Sequence, residues 1–470
     1  MNWVLLQNSL LLATGTTLLC LLLGMAGAVA LLTCRPTARR IWLGASVLGM
    51  ALPPFLVTNC WMDLADPLGL GLDHEGLFSL YSLPGAVLVL AGLTWPVTLL
   101  FVWSAWQRLD PSHLEQDSVL TGWALIRWVL WPVGRGSMMF AAVITGVLVL
   151  NHFAVPALLQ VKVLPAMLWV QFNTTFSYGE ALRTAWPLVL APLTLLLVLR
   201  DRAISWPRLS GPLSAVLFRN RLGTAWGWAA RAVLSVTLLL SAGVPLGHLL
   251  CNTRTWSQLM PALEASMRPA LHTFLLAAGT ATVCVALGVA TWKVRALRLL
   301  WLPFLVPGVA LGILLILLFN RPWLDALYRG SGVVILAWTI RYAAPAWQGM
   351  RQAFQHMDRD LTDAARASGA SNWALLRHVQ WPHLTRTVEG TWYLTYLLCL
   401  WDVETLVLIT PPGGETLALR VFNLLHYGHN DQVNALCLIL VALAILPGVL
   451  VIAGSAVRRL VGAALPRNRR

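Results

Sequence analysis

Charge is what this sequence has least of. Asp, Glu, Lys and Arg make up 11% of its 470 residues, where a soluble chain carries about a quarter. So few charges cannot cover the water-facing surface that a chain of this length would need, which excludes a soluble globular protein. Paired cysteines are missing as well. Cys20, Cys34, Cys60, Cys251, Cys284, Cys399 and Cys437 form no CxxC pair, so neither a disulfide framework nor a zinc site is expected. The first residues have no basic n-region, and no A-x-A site follows the first apolar run, which argues against a cleaved signal peptide. No G-x-x-x-x-G-K-[ST] phosphate loop occurs. No clustered nucleophile–base or metal-ligand set occurs either, so nothing marks a membrane-embedded enzyme.

What is present is long apolar runs. Hydrophobic residues are 58% of the chain and the mean hydropathy is +0.71. Because a helix needs roughly 20 apolar residues to cross a bilayer, eleven spans are expected, at 8–32, 41–62, 84–106, 137–159, 184–200, 232–251, 270–292, 299–319, 333–350, 387–410 and 433–454. The fold class is all-α, a polytopic membrane protein. Pro53, Pro54, Pro96, Pro307 and Pro447 fall in or beside these runs, which membrane helices tolerate when neighbours satisfy the freed backbone groups.

The net charge of +14 comes from basic residues lying between apolar runs, the pattern that sets membrane orientation and not one that points to nucleic acid. Alternate connections collect 25 of the 33 Lys and Arg residues, including six arginines from Arg200 to Arg231 and five from Arg351 to Arg386. The positive-inside rule then puts the N-terminus outside and the C-terminus in the cytoplasm, as an odd number of spans requires.

The chain also repeats itself. "NSLLLATGTTLLCLLLGMA" (Asn8–Ala26) and "HTFLLAAGTATVCVALGVA" (His272–Ala290) match at an offset of 264, with Gly15, Thr16, Cys20, Leu23 and Gly24 meeting identical residues. "WALIRWVLWP" (Trp123–Pro132) likewise mirrors "WALLRHVQWP" (Trp373–Pro382). Two tandem repeats are therefore expected, 1–231 and 232–470. Transporters are commonly built this way, with a pathway between the repeats.

Between the ninth and tenth runs lies a polar stretch, "DAARASGASNWALLRHVQWP" (Asp363–Pro382). Asp358, Asp360 or Thr362 is placed to cap a short helix through Ala367, and Gly369 to stop it in a left-handed turn. Ser371 or Asn372 is then placed to cap a second helix, which Pro382 ends. On that second helix Trp373, Leu376 and Val379 share a stripe.

This stretch resembles the EAA loop of binding-protein-dependent ABC transporter permeases, E-A-A-x-x-x-G, nine residues, then I-x-L-P. Asp363, Ala364 and Ala365 stand at E-A-A, Gly369 at the glycine, Val379 at the isoleucine, Trp381 at the leucine and Pro382 at the proline. The first-repeat loop, 110–132, is degenerate. "QDSVLTG" (Gln116–Gly122) has neither alanine, and three residues are missing between Gly122 and Pro132. A chain holding both permease repeats resembles the ferric-iron importer branch, which "HFAVPALLQ" (His152–Gln160) and Leu408–Gly428 also resemble. In that branch each half usually begins with one more helix; the second repeat has it at 232–251, while the first starts directly at the "NSLLLA" helix.

The resemblance implies a bacterial inner-membrane importer subunit without a cofactor. It implies a cytoplasmic ABC ATPase dimer docking on the loops at 110–132 and 358–386, and an extracytoplasmic solute-binding protein outside the bilayer. Cargoes across the family include ferric iron, polyamines, thiamine and phosphonates. Within the spans, ionisable residues are costly and commonly functional. Asp402, Glu404, Arg341 and Glu389 are the candidates for the translocation pathway; Asp402 and Glu404 are read as a cation path or as interfacial groups, while Arg341 and Glu389, near cytoplasmic ends, are read alternatively as structural ion-pair partners, with no spacing that pairs them. Asp73–Glu75 and His426–His429 are weak metal signals, and no metal site is expected. Trp61, Trp186, Trp206 and Trp392 are read as interfacial anchors. The rival class is an ion-coupled secondary transporter.

Overall fold

The structure, a computed structural model, describes residues 3–65, 67–71, 79–107, 109, 120–199, 215–355, 357, 359–411, 413–427 and 432–464. All regular elements among them are helices. This follows from composition, since in lipid the backbone must satisfy its own hydrogen bonds within each segment.

The first succession is α1 (Trp3–Thr33), α2 (Pro36–Met50), α3 (Pro54–Ala65), α4 (Leu83–Trp106), α5 (Gly122–Leu150), α6 (Ala154–Leu158), α7 (Leu164–Thr175) and α8 (Tyr178–Leu199). A linker helix α9 (Ala215–Leu222) and a long helix α10 (Thr224–Cys251) follow. The second succession is α11 (Leu259–Thr291), α12 (Arg295–Leu305), α13 (Gly308–Phe319), α14 (Gly332–Gln355), α15 (Arg359–Ala367), α16 (residues 372–401), α17 (Leu406–Ile409), α18 (Leu417–His426) and α19 (Val433–Ala464).

Among the described residues, six helices are long and apolar enough to cross a membrane, or up to eight if each bent pair is one span. The eleven runs therefore do not all become straight apolar helices. Two of them break, α2 against α3 by 85° and α12 against α13 by 110°. The breaks fall at Pro53 and Pro307, where the ring removes a backbone donor and restricts the residue before it. Others, such as α14 and α16, carry several charged or amide side chains along with their apolar ones.

The two successions match in detail. Helices α4 and α14 are each 24 residues long, and Pro96 lies 13 residues after Leu83 as Pro345 does after Gly332. The shared glycine of the sequence match makes the same crossing twice: a Cβ on Gly24 would meet Thr98 of α4 at 2.6 Å, and one on Gly288 would meet the Ala346 carbonyl of α14 at 3.1 Å. Small residues at such points let membrane helices pack backbone to backbone. Ser9 donates to the Leu5 carbonyl and accepts the Leu164 N–H at 2.9 Å. Thr273, at the same 264-residue offset, donates to the Pro269 carbonyl and accepts the Leu417 N–H at 2.8 Å. Each hydroxyl thus satisfies the first free amide of the helix that follows, α7 or α18. Removing it leaves a buried donor without a partner, so Thr273→Val is expected to cost about 1–3 kcal/mol, read as a lower melting temperature in detergent. An unchanged midpoint would show that this amide finds another acceptor.

Candidate functional site

The polar bracket forms at one end of the helical array, where α14 ends and α16 begins. Helix α15 closes in a left-handed turn. Gly369 has φ +80°, its N–H donates to the Arg366 carbonyl at 2.9 Å, and the Ala370 N–H donates to the Ala365 carbonyl at 3.1 Å. That pair of bonds satisfies carbonyls left open at the helix end, and the turn suits glycine because no Cβ obstructs it. Ser371 then caps α16, its Oγ accepting the Ala374 N–H at 3.2 Å. Asp363 and Arg366 form an exposed 3.7 Å ion pair along α15, and Ala364 is exposed while Ala365 is half-buried.

Three local expectations are corrected here. Asp360 and Thr362 lie inside α15, which begins at Arg359, and so do not cap it; Asp358 lies outside the described residues. Pro382 does not end the second helix. Residues Leu375–Gln380 form a π-helical turn, the Trp381 N–H reaches back to the Leu376 carbonyl, and the helix continues as Trp381–Trp401. The wider turn absorbs the donor that proline lacks, so the second arm of the bracket and the long segment after it form one continuous rod. The Trp373–Leu376–Val379 stripe is therefore broken. Trp373 is exposed, Leu376 and Val379 are half-buried, and Leu375 is the buried contact.

The degenerate loop has the same device. Ile126–Leu130 is π-helical and runs through Pro132 into Trp131–Leu150. Gly122, at φ +53°, begins this helix, whereas Gly369 ends one. Gln116 lies outside the described residues.

A second constellation lies at the break between α12 and α13. Arg341 is buried in mid-α14, ten residues into a 24-residue helix, not near an end. Its Nη2 donates to Glu404 Oε2 at 2.9 Å and its Nη1 to Thr405 Oγ1 at 2.7 Å. Its carboxylate partner is Glu404, so the expected Arg341–Glu389 pairing is overturned; Glu389 lies exposed on α16. The first succession enters the same cluster. The Phe153 N–H donates to Glu404 Oε1 at 2.9 Å, His152 Nδ1 lies 3.6 Å from that oxygen, and Asn151 donates its Nδ2 to the Leu305 carbonyl. Asp402 is the C-cap of α16, and its Oδ1 accepts the Thr405 N–H at 3.0 Å. Gly308 makes room for the cluster, since a Cβ there would meet Arg341 Nη1 at 1.9 Å and Glu404 Cβ at 2.5 Å. A charged network thus joins the two successions beside a broken helix, the place where membrane transporters keep polar groups.

A smaller polar link lies on α3. Asn59 donates to Asn434 of α19 at 2.9 Å, and His248 of α10 is 3.8 Å from Asp63. Sequence reading missed it, because no motif connects residues so far apart. Among the metal candidates, His426 is exposed, stacks on Phe422 and meets Trp169 edge-on at 5.5 Å. Asp73–Glu75 and His429 lie outside the described residues, and no group of three or more His, Cys, Asp or Glu able to hold a metal occurs among the described residues. Trp392 packs between helices, donating to Thr282 at 3.0 Å and stacking on Tyr396. Trp206 also lies outside the described residues.

Helices of membrane-spanning length, a polar cluster joining two similar successions and a continuous rod from each loop define a multi-pass membrane protein of transport type. Comparison with known proteins narrows that class. Residues 283–465 match the family described as "Binding-protein-dependent transport system inner membrane component". The chain is 26% identical over 211 residues to the putative 2-aminoethylphosphonate transport system permease protein PhnV of Salmonella paratyphi A, covering 44% of this chain and 78% of that relative. It is 24% identical over 217 residues to the spermidine/putrescine transport system permease protein PotC of Escherichia coli, covering 44% and 80%. Over residues 283–465 this chain is similar to the inner-membrane permeases of binding-protein-dependent ABC transporters, and its apolar helices are those of a multi-pass membrane protein.

Proposed function

We propose that the chain is a fused importer permease, with halves at 1–231 and 232–470 that form the translocation pathway between them. The bracket end faces the cytoplasm, in keeping with the basic residues gathered there. A separate ATPase pair docks on it, chiefly through Asp363, Ala364, Ala365, Gly369, Val379 and Pro382. Gly122 and Pro132 mark the weaker first-half station, to which Gln116 also belongs by sequence. An extracytoplasmic binding protein delivers cargo to the opposite end. The observation that carries this reading is the rod from bracket to span. Because the π turn keeps the helix unbroken through Pro382, a push on α15 moves α16, and α16 leads directly to Asp402 and Glu404 in the polar cluster.

The cargo we propose is a small organic solute with a primary amine. Both relatives are named for such solutes, 2-aminoethylphosphonate in one case and spermidine and putrescine in the other. Ferric iron, suggested by the two-repeat architecture, is the competing cargo. The test is uptake into proteoliposomes containing the chain, its ATPase and its binding protein. ATP-dependent accumulation of labelled putrescine or 2-aminoethylphosphonate, with none of ferric iron, is the expected result. Accumulation of iron alone would overturn the cargo, and uptake driven by an ion gradient without the ATPase would overturn the importer itself.

A further inference from the structure

An arginine near the end of α14 is buried without a counter-charge. Arg351, four residues before that end, is only 8% exposed. Its guanidinium lies 5.1 Å over the Trp347 ring, and its Nη1 is buried with no hydrogen-bond partner. Among the described residues no ion pair includes it. The charges that do reach it there are of its own sign. Arg298 and Arg295, both exposed on the opening turn of α12, are near enough to repel it. A buried charge is ordinarily paired, so an unpartnered buried donor with two more arginines beside it marks a site for an anion. The repeat itself does not require arginine at this point. At the offset that aligns Pro96 with Pro345, the first succession has Val102, fully buried in an apolar cluster.

The surroundings select the anion. Val283 and Leu287 are exposed one turn apart on α11, a helix long and apolar enough to cross a membrane, so this face of α11 meets lipid tails. Trp292, just past the end of α11, stacks on Phe354 at 4.8 Å, which puts that end beside the bracket. From there the chain turns into Arg295 through the exposed Val294. Leu299, next to Arg298, is 71% exposed. Guanidinium groups and bare apolar side chains on one turn are the composition of a segment at the boundary of headgroups and tails. We propose that Arg351, Arg298 and Arg295 bind the phosphate of an anionic phospholipid in the leaflet at the bracket end, with its acyl chains along Val283, Leu287 and Leu299. The planar fork of an arginine matches two phosphate oxygens, and basic pockets between membrane helices take such headgroups. Arg351, held against Trp347, supplies the inner donor, and Arg295 and Arg298 the outer ones. The bound phosphate turns a repulsion between α12 and α14 into a bridge, joining the arm of the 110° break to the helix that leads into the bracket.

The test compares the full chain with Arg351→Gln in detergent containing neutral phosphatidylcholine. Added phosphatidylglycerol is expected to raise the melting midpoint of the unaltered chain by several degrees. The variant should gain far less, with an apparent Kd for phosphatidylglycerol weaker on the order of tenfold, as the loss of a charge-assisted contact implies. In phosphatidylcholine alone Arg351→Gln should melt no lower than the unaltered chain, because it relieves a buried repulsion. An arginine needed only for packing would give the opposite sign. Arg40→Gln removes the same charge from an exposed position elsewhere and should respond to phosphatidylglycerol as the unaltered chain does; a response like that of Arg351→Gln would reduce the effect to net charge and overturn the site. If Arg351→Gln does not fold, the exposed pair Arg295→Gln/Arg298→Gln carries the same comparison. Inorganic phosphate at matched concentration separates the sources. A midpoint raised as far by phosphate as by phosphatidylglycerol would overturn the lipid as ligand, and equal stabilisation of variant and unaltered chain by phosphatidylglycerol would overturn the site.

Discussion

Truncating Glu404 to alanine is expected to destabilise the protein by about 3–5 kcal/mol, because it leaves Arg341 buried without its counter-charge. The loss is larger than that of one ion pair, since Glu404 also accepts the Phe153 amide across the two halves. Thermal unfolding in detergent should show a marked fall in midpoint, together with reduced yield from the membrane. The double variant Arg341→Met/Glu404→Gln should recover most of it, because no buried charge is then left alone and the glutamine carbonyl still accepts from Phe153. Gly308→Leu should approach the single variant in severity, because its side chain would occupy the space that the guanidinium fills. If Glu404→Ala melts with the unaltered protein, the cluster does not hold the halves together.

The second large effect is expected at Gly369. Valine there would be held at φ +80°, a left-handed conformation that costs a side-chain-bearing residue about 1–2 kcal/mol, and a β-branched one more. The turn is exposed, and a Cβ on Gly369 would meet nothing within 4 Å. The variant should therefore fold, insert and melt close to the unaltered protein. What changes is the angle between α15 and α16, and with it the surface offered to the ATPase. Permease-stimulated ATP hydrolysis should fall on the order of tenfold, as a strain of about 1.4 kcal/mol at the docking step implies. Gly122→Val, in the first-half loop, should reduce hydrolysis far less if the second station carries most of the coupling. An intact complex with undiminished stimulated hydrolysis in Gly369→Val would reject the docking assignment.

Local signals in the chain were legible wherever the physics is local. Gly369 occupies the left-handed stop and Ser371 the cap that their residue types suit, since a turn and a cap each depend on a few neighbouring atoms. The offset of 264 between Asn8–Ala26 and His272–Ala290 anticipated the paired crossings at Gly24 and Gly288, because a duplicated helix keeps the small residue that its crossing needs. The π turns were not legible, since the pattern of apolar residues is nearly the same for a turn of four and a turn of five. The sequence reading therefore ended a helix at Pro382 that in fact continues.

The Arg341–Glu404 pair was out of reach for a different reason. Sixty-three residues separate the partners, and which carboxylate meets the guanidinium depends on how α14 is rotated and where α13 starts after its 110° break. Glu389 was an equally reasonable partner by composition, and only its position on the exposed side of α16 removes it. The burial of Phe218 and Leu222 of α9 against α1 and α4 is of the same kind, because a short linker helix carries no signal of the surface it will cover. What the sequence by itself determined was the class of the protein, a multi-pass membrane protein, and its all-helical build. Both follow from composition and from the length of the apolar runs. What only the tertiary structure decided was which distant groups meet, above all the charge network between the two successions. These depend on helix rotation and packing, which no window of sequence contains.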